Sequence, residues 1–309
     1  MFLHDGREMF SELIDSVNRA TGIPRALVEK DYFITLFLKR LAVKEPLLVF
    51  KGGTCLSKCF KIINRFSEDI DINLLGMEEL SGRRKKAMKA HIVETVEELK
   101  LELTNPEQVR SGRDYNRYKI SFPSFFENPS LKPLLEVETY FLIGSFPTEN
   151  MPVTSLIYDY LKERGLDEVI SEYEMEPFEV RVQALERTFA DKIFAVCDYY
   201  MTGRIDGQSR HLYDLHKILP HMTLNDDLKD FVEEIRKVRE GKRDCPSAEK
   251  DVSLSETIGI VMKDNTYKKD YAAKTAPLLY ETVKYAEIVS TMKKISEWLE
   301  QPPRTRVTP

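Results

Sequence analysis

The sequence predicts an α+β fold: a small mixed β-sheet core, helices ahead of it, and a helical C-terminal half. Three observations carry that reading. Leu47–Phe50 is a short apolar run closed by Gly52-Gly53, and Asp69–Leu74 alternates strictly between polar and apolar residues. Both are strand signatures. Two further strand-like stretches lie at 115–122 and 133–143. Apolar residues recur at helical spacing over 7–20 and 25–41, and most of the chain from about 152 onward reads the same way.

The elements follow in order. Phe10, Leu13, Ile14 and Val17 mark the first helix, and Thr21-Gly22-Ile23-Pro24 breaks it. The second helix shows a broad apolar face from Leu27 to Leu41. After the 47–50 strand and its glycine turn, Leu56, Cys59, Phe60 and Ile63 mark a short helix. Helices are expected at 83–102, 186–202, 210–219, 225–240 and 271–300, and a frayed tail from Pro302-Pro303. The chain divides into a core over 1–150 and a helical domain over 151–309. No internal repeat or low-complexity tract is visible.

Composition narrows the function classes. The 309 residues are 42% hydrophobic and 31% charged, an ordinary globular balance. No apolar run of about 18 residues is present, so no membrane span is expected. The start lacks the basic and apolar regions of a secretory signal. Cys55, Cys59, Cys197 and Cys245 show no CxxC pairing, which favours reduced thiols in a cytoplasmic protein over a zinc site. The net charge of -5 means that a polynucleotide partner must meet a local basic patch. Arg83, Arg84, Lys85, Lys86 and Lys89 form such a run, which equally fits a solvated helix face.

The chemistry centres on Asp69 and Asp71. Two carboxylates one residue apart on a strand point the same way, their Cα atoms about 6.5 Å apart. Magnesium prefers hard oxygen ligands, commonly one or two carboxylates plus substrate phosphates. A metal pair can clamp both oxygens of a phosphoryl displacement. Alone, such a pair also fits a solvated polar face. Gly52, Gly53 and Thr54 lie between a strand and a helix, where glycine lets backbone approach a phosphate. Thr54 and Ser57 add hydroxyls, and Lys51 and Lys58 add charge. Glu136 and Glu138 share one face of the 133–143 strand. Either can complete the acidic set, with Glu138 favoured, and both also fit an exposed acidic face. Arg65 can fork onto phosphate oxygens or face solvent.

Phe50–Leu74, FKGGTCLSKCFKIINRFSEDIDINL, resembles the AbiEii/AbiGii-type nucleotidyltransferase toxins of the polymerase-β-like superfamily. Glu29-Lys30-Asp31-Tyr32 upstream is similar to the family's EKDY segment. Thr188–Lys192 (TFADK) and Arg210–Leu215 (RHLYDL) resemble its two later motifs. The likeness implies metal ligation by Asp69 and Asp71, phosphate binding by Gly52, Gly53 and Thr54, and contact of Ser67 with nucleotide phosphates. It implies catalytic roles for Lys192 and Asp214. By the same resemblance two Mg²⁺ ions assist transfer of NMP from an NTP to RNA, at the tRNA 3′ end, blocking translation. An operon-encoded antitoxin would oppose it, by binding or by modifying Ser67. Transfer to a protein hydroxyl or small molecule, and a non-catalytic nucleotide- or partner-binding role, are the alternatives. No motif covers the chain beyond about 220.

Overall fold

The computed structural model describes residues 2–67, 69–76, 80–126 and 133–301; the expected proline-bearing tail lies outside them. The chain forms two compact units. One comprises residues 1–60 and 68–183, the other 61–67 and 184–309.

The first unit opens with α1 (Arg7–Thr21), whose buried residues are the predicted Phe10, Leu13, Ile14 and Val17. Gly22, at φ 75°, ends it and donates its N–H to the Asn18 carbonyl. Then come α2 (Arg25–Lys44), β1 (Leu48–Lys51), α3 (Gly52–Lys58) and β2 (Asp69–Leu74). α4 (Gly82–Glu98) starts at Ser81, whose side chain accepts from the Arg84 N–H. β3 (Glu102–Leu103), β4 (Tyr115–Ser121), β5 (Leu134–Tyr140) and β6 (Thr148–Val153) follow. α5 (Leu156–Glu163), α6 (Asp167–Glu172) and β7 (Phe178–Gln183) complete the unit.

The strands form one mixed sheet in the order β3-β4-β5-β2-β1-β7-β6. β2 runs parallel to β5 and antiparallel to β1, and β1 runs parallel to β7. The α+β class stands, but the sheet is larger than the sequence suggested. β7 falls in the stretch read as helical from about 152, β6 lies at its start, and the first unit runs to Gln183. β7 has the period-two pattern Phe178, Val180, Val182 within FEVRVQ. β6 contains Pro152, which lacks a ladder donor and is tolerated because β6 is an edge strand.

One sheet face is dry. Phe50, Ile70, Ile72, Ile120, Leu135, Val137 and Val182 join Phe33 and Phe37 of α2 and Met88 and Ile92 of α4 in one core. α2 also buries polar groups with partners supplied. Glu29 accepts from the Ser124 hydroxyl at 2.6 Å and the Phe125 N–H at 2.8 Å. Asp31 accepts from Lys58 Nζ and from the Leu156 N–H at 2.8 Å. The Tyr32 hydroxyl meets His4 Nδ1 at 3.0 Å. The EKDY segment thus ties α2 to loops around it, as buried polar groups require.

The second unit is helical: α7 (Leu185–Met201), α8 (Arg210–Ile218), α9 (Asp226–Arg239), α10 (Leu254–Lys263) and α11 (Tyr285–Glu300). α10 was not anticipated. The helix expected over 271–300 is interrupted: 268–278 winds through short α, π and 3-10 turns, Leu279 then bridges to Arg65 and the Tyr280 N–H donates to the Asn64 carbonyl at 2.8 Å, and regular helix resumes at Tyr285. These bonds hold residues 61–67 to the second unit.

Candidate active site

On the second face of the sheet, register brings the acidic residues together. Asp69 stands opposite Glu136 and Asp71 opposite Glu138 across the β2–β5 pair. Neighbouring strands lie about 4.8 Å apart and alternate residues about 6.6 Å along a strand. The result is a two-by-two array of carboxylates. β4 supplies cations in register, Arg117 opposite Glu138 and Lys119 opposite Glu136. Lys51 of β1 stands opposite Asp71, with its ammonium 5.5 Å from the centre of the Tyr140 ring.

The glycine turn abuts this array. Gly52 has φ 78°, a left-handed conformation that L side chains rarely adopt. A Cβ there would overlap Asp71 Oδ2 and lie 2.7 Å from its Cγ. Glycine is required twice, for the backbone and for the space that Asp71 fills. Thr54, almost fully buried, donates its hydroxyl to the Asp69 carbonyl at 2.5 Å, tying the start of α3 to β2. The Gly52→Ala variant should lose about 1–2 kcal/mol from the backbone alone. If Asp71 serves the nucleotidyl transfer that the sequence resemblance implies, that activity should fall by at least about a hundredfold as its carboxylate is displaced. Urea unfolding and a turnover assay measure the two, and a variant with normal turnover would separate the turn from the carboxylate.

In the second unit, Asp214 of α8 is wholly buried. It accepts from Arg65 Nε at 2.7 Å and Nη2 at 2.8 Å, and from Lys192 Nζ of α7 at 2.6 Å. Burial alone would raise its pKa, but the Arg65 guanidinium and the Lys192 ammonium hold the carboxyl well below its usual range. Two cations share the one carboxylate, and Arg65 Nη1 also donates to the Phe66 carbonyl at 2.9 Å. Burial, with Arg65 nearby, pushes the Lys192 pKa down, and Asp214 opposes the shift.

A model of the nucleotidyl transferase AbiEii toxin family, of a type IV toxin–antitoxin system, matches residues 36–300. The chain belongs to the AbiEii family. It is a nucleotidyltransferase toxin of that type. Among solved structures it is similar to MenT4, a nucleotidyltransferase toxin from Mycobacterium tuberculosis H37Rv. Identity is 18% and the TM-score 0.52, over 93% of this chain and 89% of that one, so the likeness is one of fold. No curated protein matches the sequence.

The remaining sequence-derived candidates of this AbiEii protein are distributed as follows. Gly53 is buried inside the first turn of α3. Ser57 donates its hydroxyl to the Thr54 carbonyl at 3.0 Å within α3. Lys58 is buried and directed to Asp31 and, at 3.2 Å, the Thr154 carbonyl. Arg65 is buried on Asp214 and does not face solvent. Ser67 is half-buried just ahead of β2. Arg210, one turn ahead of Asp214 on α8, donates its Nη1 N–H to the Gly207 carbonyl at 2.9 Å. In the basic run, Lys85 pairs with Asp114, Lys89 donates to the Val109 carbonyl and Arg84 reaches Glu45.

Sequence reasoning missed Arg117, although the alternation of YNRYKIS puts it and Lys119 on one face. It could not foresee that Arg65 and Asp214, distant in the chain, form one buried pair. Among the described residues no three carboxylate, imidazole or thiol side chains close on one point. Asp69 and Asp71 nonetheless suit magnesium, which keeps waters and substrate phosphates among its ligands. They are hard oxygen donors on one strand face, and the missing Cβ at Gly52 leaves Asp71 its place.

Proposed function

We propose that this toxin transfers a nucleoside monophosphate from an NTP to the 3′ end of an RNA, a tRNA, with Mg²⁺, and so blocks translation. The observation that carries the reading is the half-buried Asp69–Asp71 pair on one strand face, backed by the left-handed Gly52. Asp69 and Asp71 hold the divalent ions. Glu138, or Glu136, is the carboxylate within reach on the adjoining strand. When bound, the two ions supply positive charge to the triphosphate and to the attacking and leaving oxygens. The protein contributes positioning, which in phosphoryl transfer supplies much of the rate. Gly52, Gly53 and Thr54 let backbone meet phosphate oxygens, Ser57 borders that turn with its hydroxyl on the Thr54 carbonyl, and the family likeness adds contact of Ser67 with the nucleotide phosphates. In the second unit, the family likeness gives Lys192 and Asp214 catalytic roles, and an ammonium such as that of Lys192 suits the balancing of phosphate charge.

Support for RNA as acceptor comes from the family likeness and not from the basic run, three of whose members are committed within the protein. No helix among the described residues is long and apolar enough to cross a membrane, and we place the protein in the cytoplasm, with its NTP, its RNA and an operon-encoded antitoxin. The antitoxin would act by binding or by modifying Ser67. Incubation with total RNA, Mg²⁺ and each α-labelled NTP in turn tests the proposal. A labelled band at tRNA size, with one preferred NTP, is expected. Label appearing on protein or small molecules alone would overturn the RNA acceptor.

A further inference from the structure

We infer that Arg117 is a positioning residue that latches Glu138 toward β4, so that a divalent ion at Asp69 and Asp71 gains Glu138 only when that ion pair is given up. This rests on the reading that Asp69 and Asp71 hold the metal. Arg117 Nε and Nη2 lie 2.6 and 2.5 Å from the same Glu138 oxygen, and Nη1 lies 3.6 Å from Glu136 Oε2. One guanidinium therefore serves both β5 carboxylates of the array. Its position follows from strand register, since Arg117 is the cross-strand partner of Glu138 and Glu138 of Asp71. Along this row the charges run positive on β4, negative on β5, negative on β2 and positive on β1.

Four carboxylates spaced at strand distances repel one another when no cation is near. Asp71 has little room to retreat, because its carboxylate fills the space beside Gly52. Glu138 is longer and reaches outward to a guanidinium whose side chain is 47% exposed. The pair can open toward solvent without disturbing the core. Glu138 is then the adjustable member of the acidic set, and Arg117 its alternative partner to a metal.

The measurement is Mn²⁺ binding to the full-length protein without nucleotide, read from the loss of the free-ion electron paramagnetic resonance signal. Wild type, Arg117→Gln, Glu138→Gln, the double variant and Asp71→Asn are compared. Freed from an exposed pair of ordinary strength, Glu138 should tighten Mn²⁺ binding in Arg117→Gln by about fivefold. The double variant should return to the Glu138→Gln value, since the gain runs through that carboxylate. Unchanged or weaker binding in Arg117→Gln overturns the latch. A gain that persists in the double variant also overturns it, showing only a general charge effect. If Asp71→Asn binds Mn²⁺ as wild type does, the metal assignment itself has failed, and the latch with it.

Discussion

Asp71→Asn should lower nucleotidyl transfer by at least about a thousandfold, the equivalent of about 4 kcal/mol of lost charge stabilisation in the transition state. Asparagine keeps the size of the side chain that fits beside Gly52, so packing is preserved. What is lost, on the proposed reading, is a negative oxygen that would hold a divalent ion. Asp69→Ala should have a comparable effect. Folding should be unharmed, because Asp71 has like charges at Asp69 and Glu138 as well as the Lys51 cation across β1, so its charge is nearly balanced in the fold. Single-turnover kinetics and growth arrest on expression report the loss. Retained turnover, or retained toxicity, would refute the assignment of this carboxylate.

Asp214→Asn should produce the largest stability change, a loss of about 3–5 kcal/mol. The carboxylate is fully buried and is the partner of two cations, both nearly buried themselves. Removing its charge takes from the buried Arg65 and Lys192 the carboxylate that both of them bond. Replacing all three by apolar residues of similar size should restore much of the loss, since the cost lies in the unpaired charges and not in the missing attraction. Urea unfolding monitored by circular dichroism measures both. A loss under about 1 kcal/mol would mean that water or relaxation reaches the site.

The same group sets a pH dependence. Asp214 has a folded pKa depressed below the unfolded value of 3.8. Its stabilisation is therefore complete above about pH 3.8 and is lost as pH falls further toward the folded pKa. The gap in stability between wild type and Asp214→Asn should be constant through neutral pH and shrink only in acid below that point.

The sequence by itself determined the local elements that carry the chemistry. Strict alternation in DIDINL put Asp69 and Asp71 on one face, because strand side chains repeat with period two. A glycine pair after an apolar run marked the turn, and helical spacing gave α1 with its four buried residues. Motif resemblance over Phe50–Leu74 pointed to the AbiEii family, which the family match then established. The 178–183 strand was legible in FEVRVQ but was outweighed by the helical signals around it, and Pro152 masked its partner.

Only the tertiary structure decided which charges meet. Cross-strand register set Glu138 against both Asp71 and Arg117, and no pattern within one strand specifies its neighbour's register. The pairing of Arg65 with Asp214 joins residues far apart in the chain, which a local pattern cannot report. For the same reason Lys58 and Lys85, polar by composition, proved to be buried partners of Asp31 and Asp114. A charged side chain taken out of water must find its partner wherever the fold supplies one, and that place is a property of the packed chain.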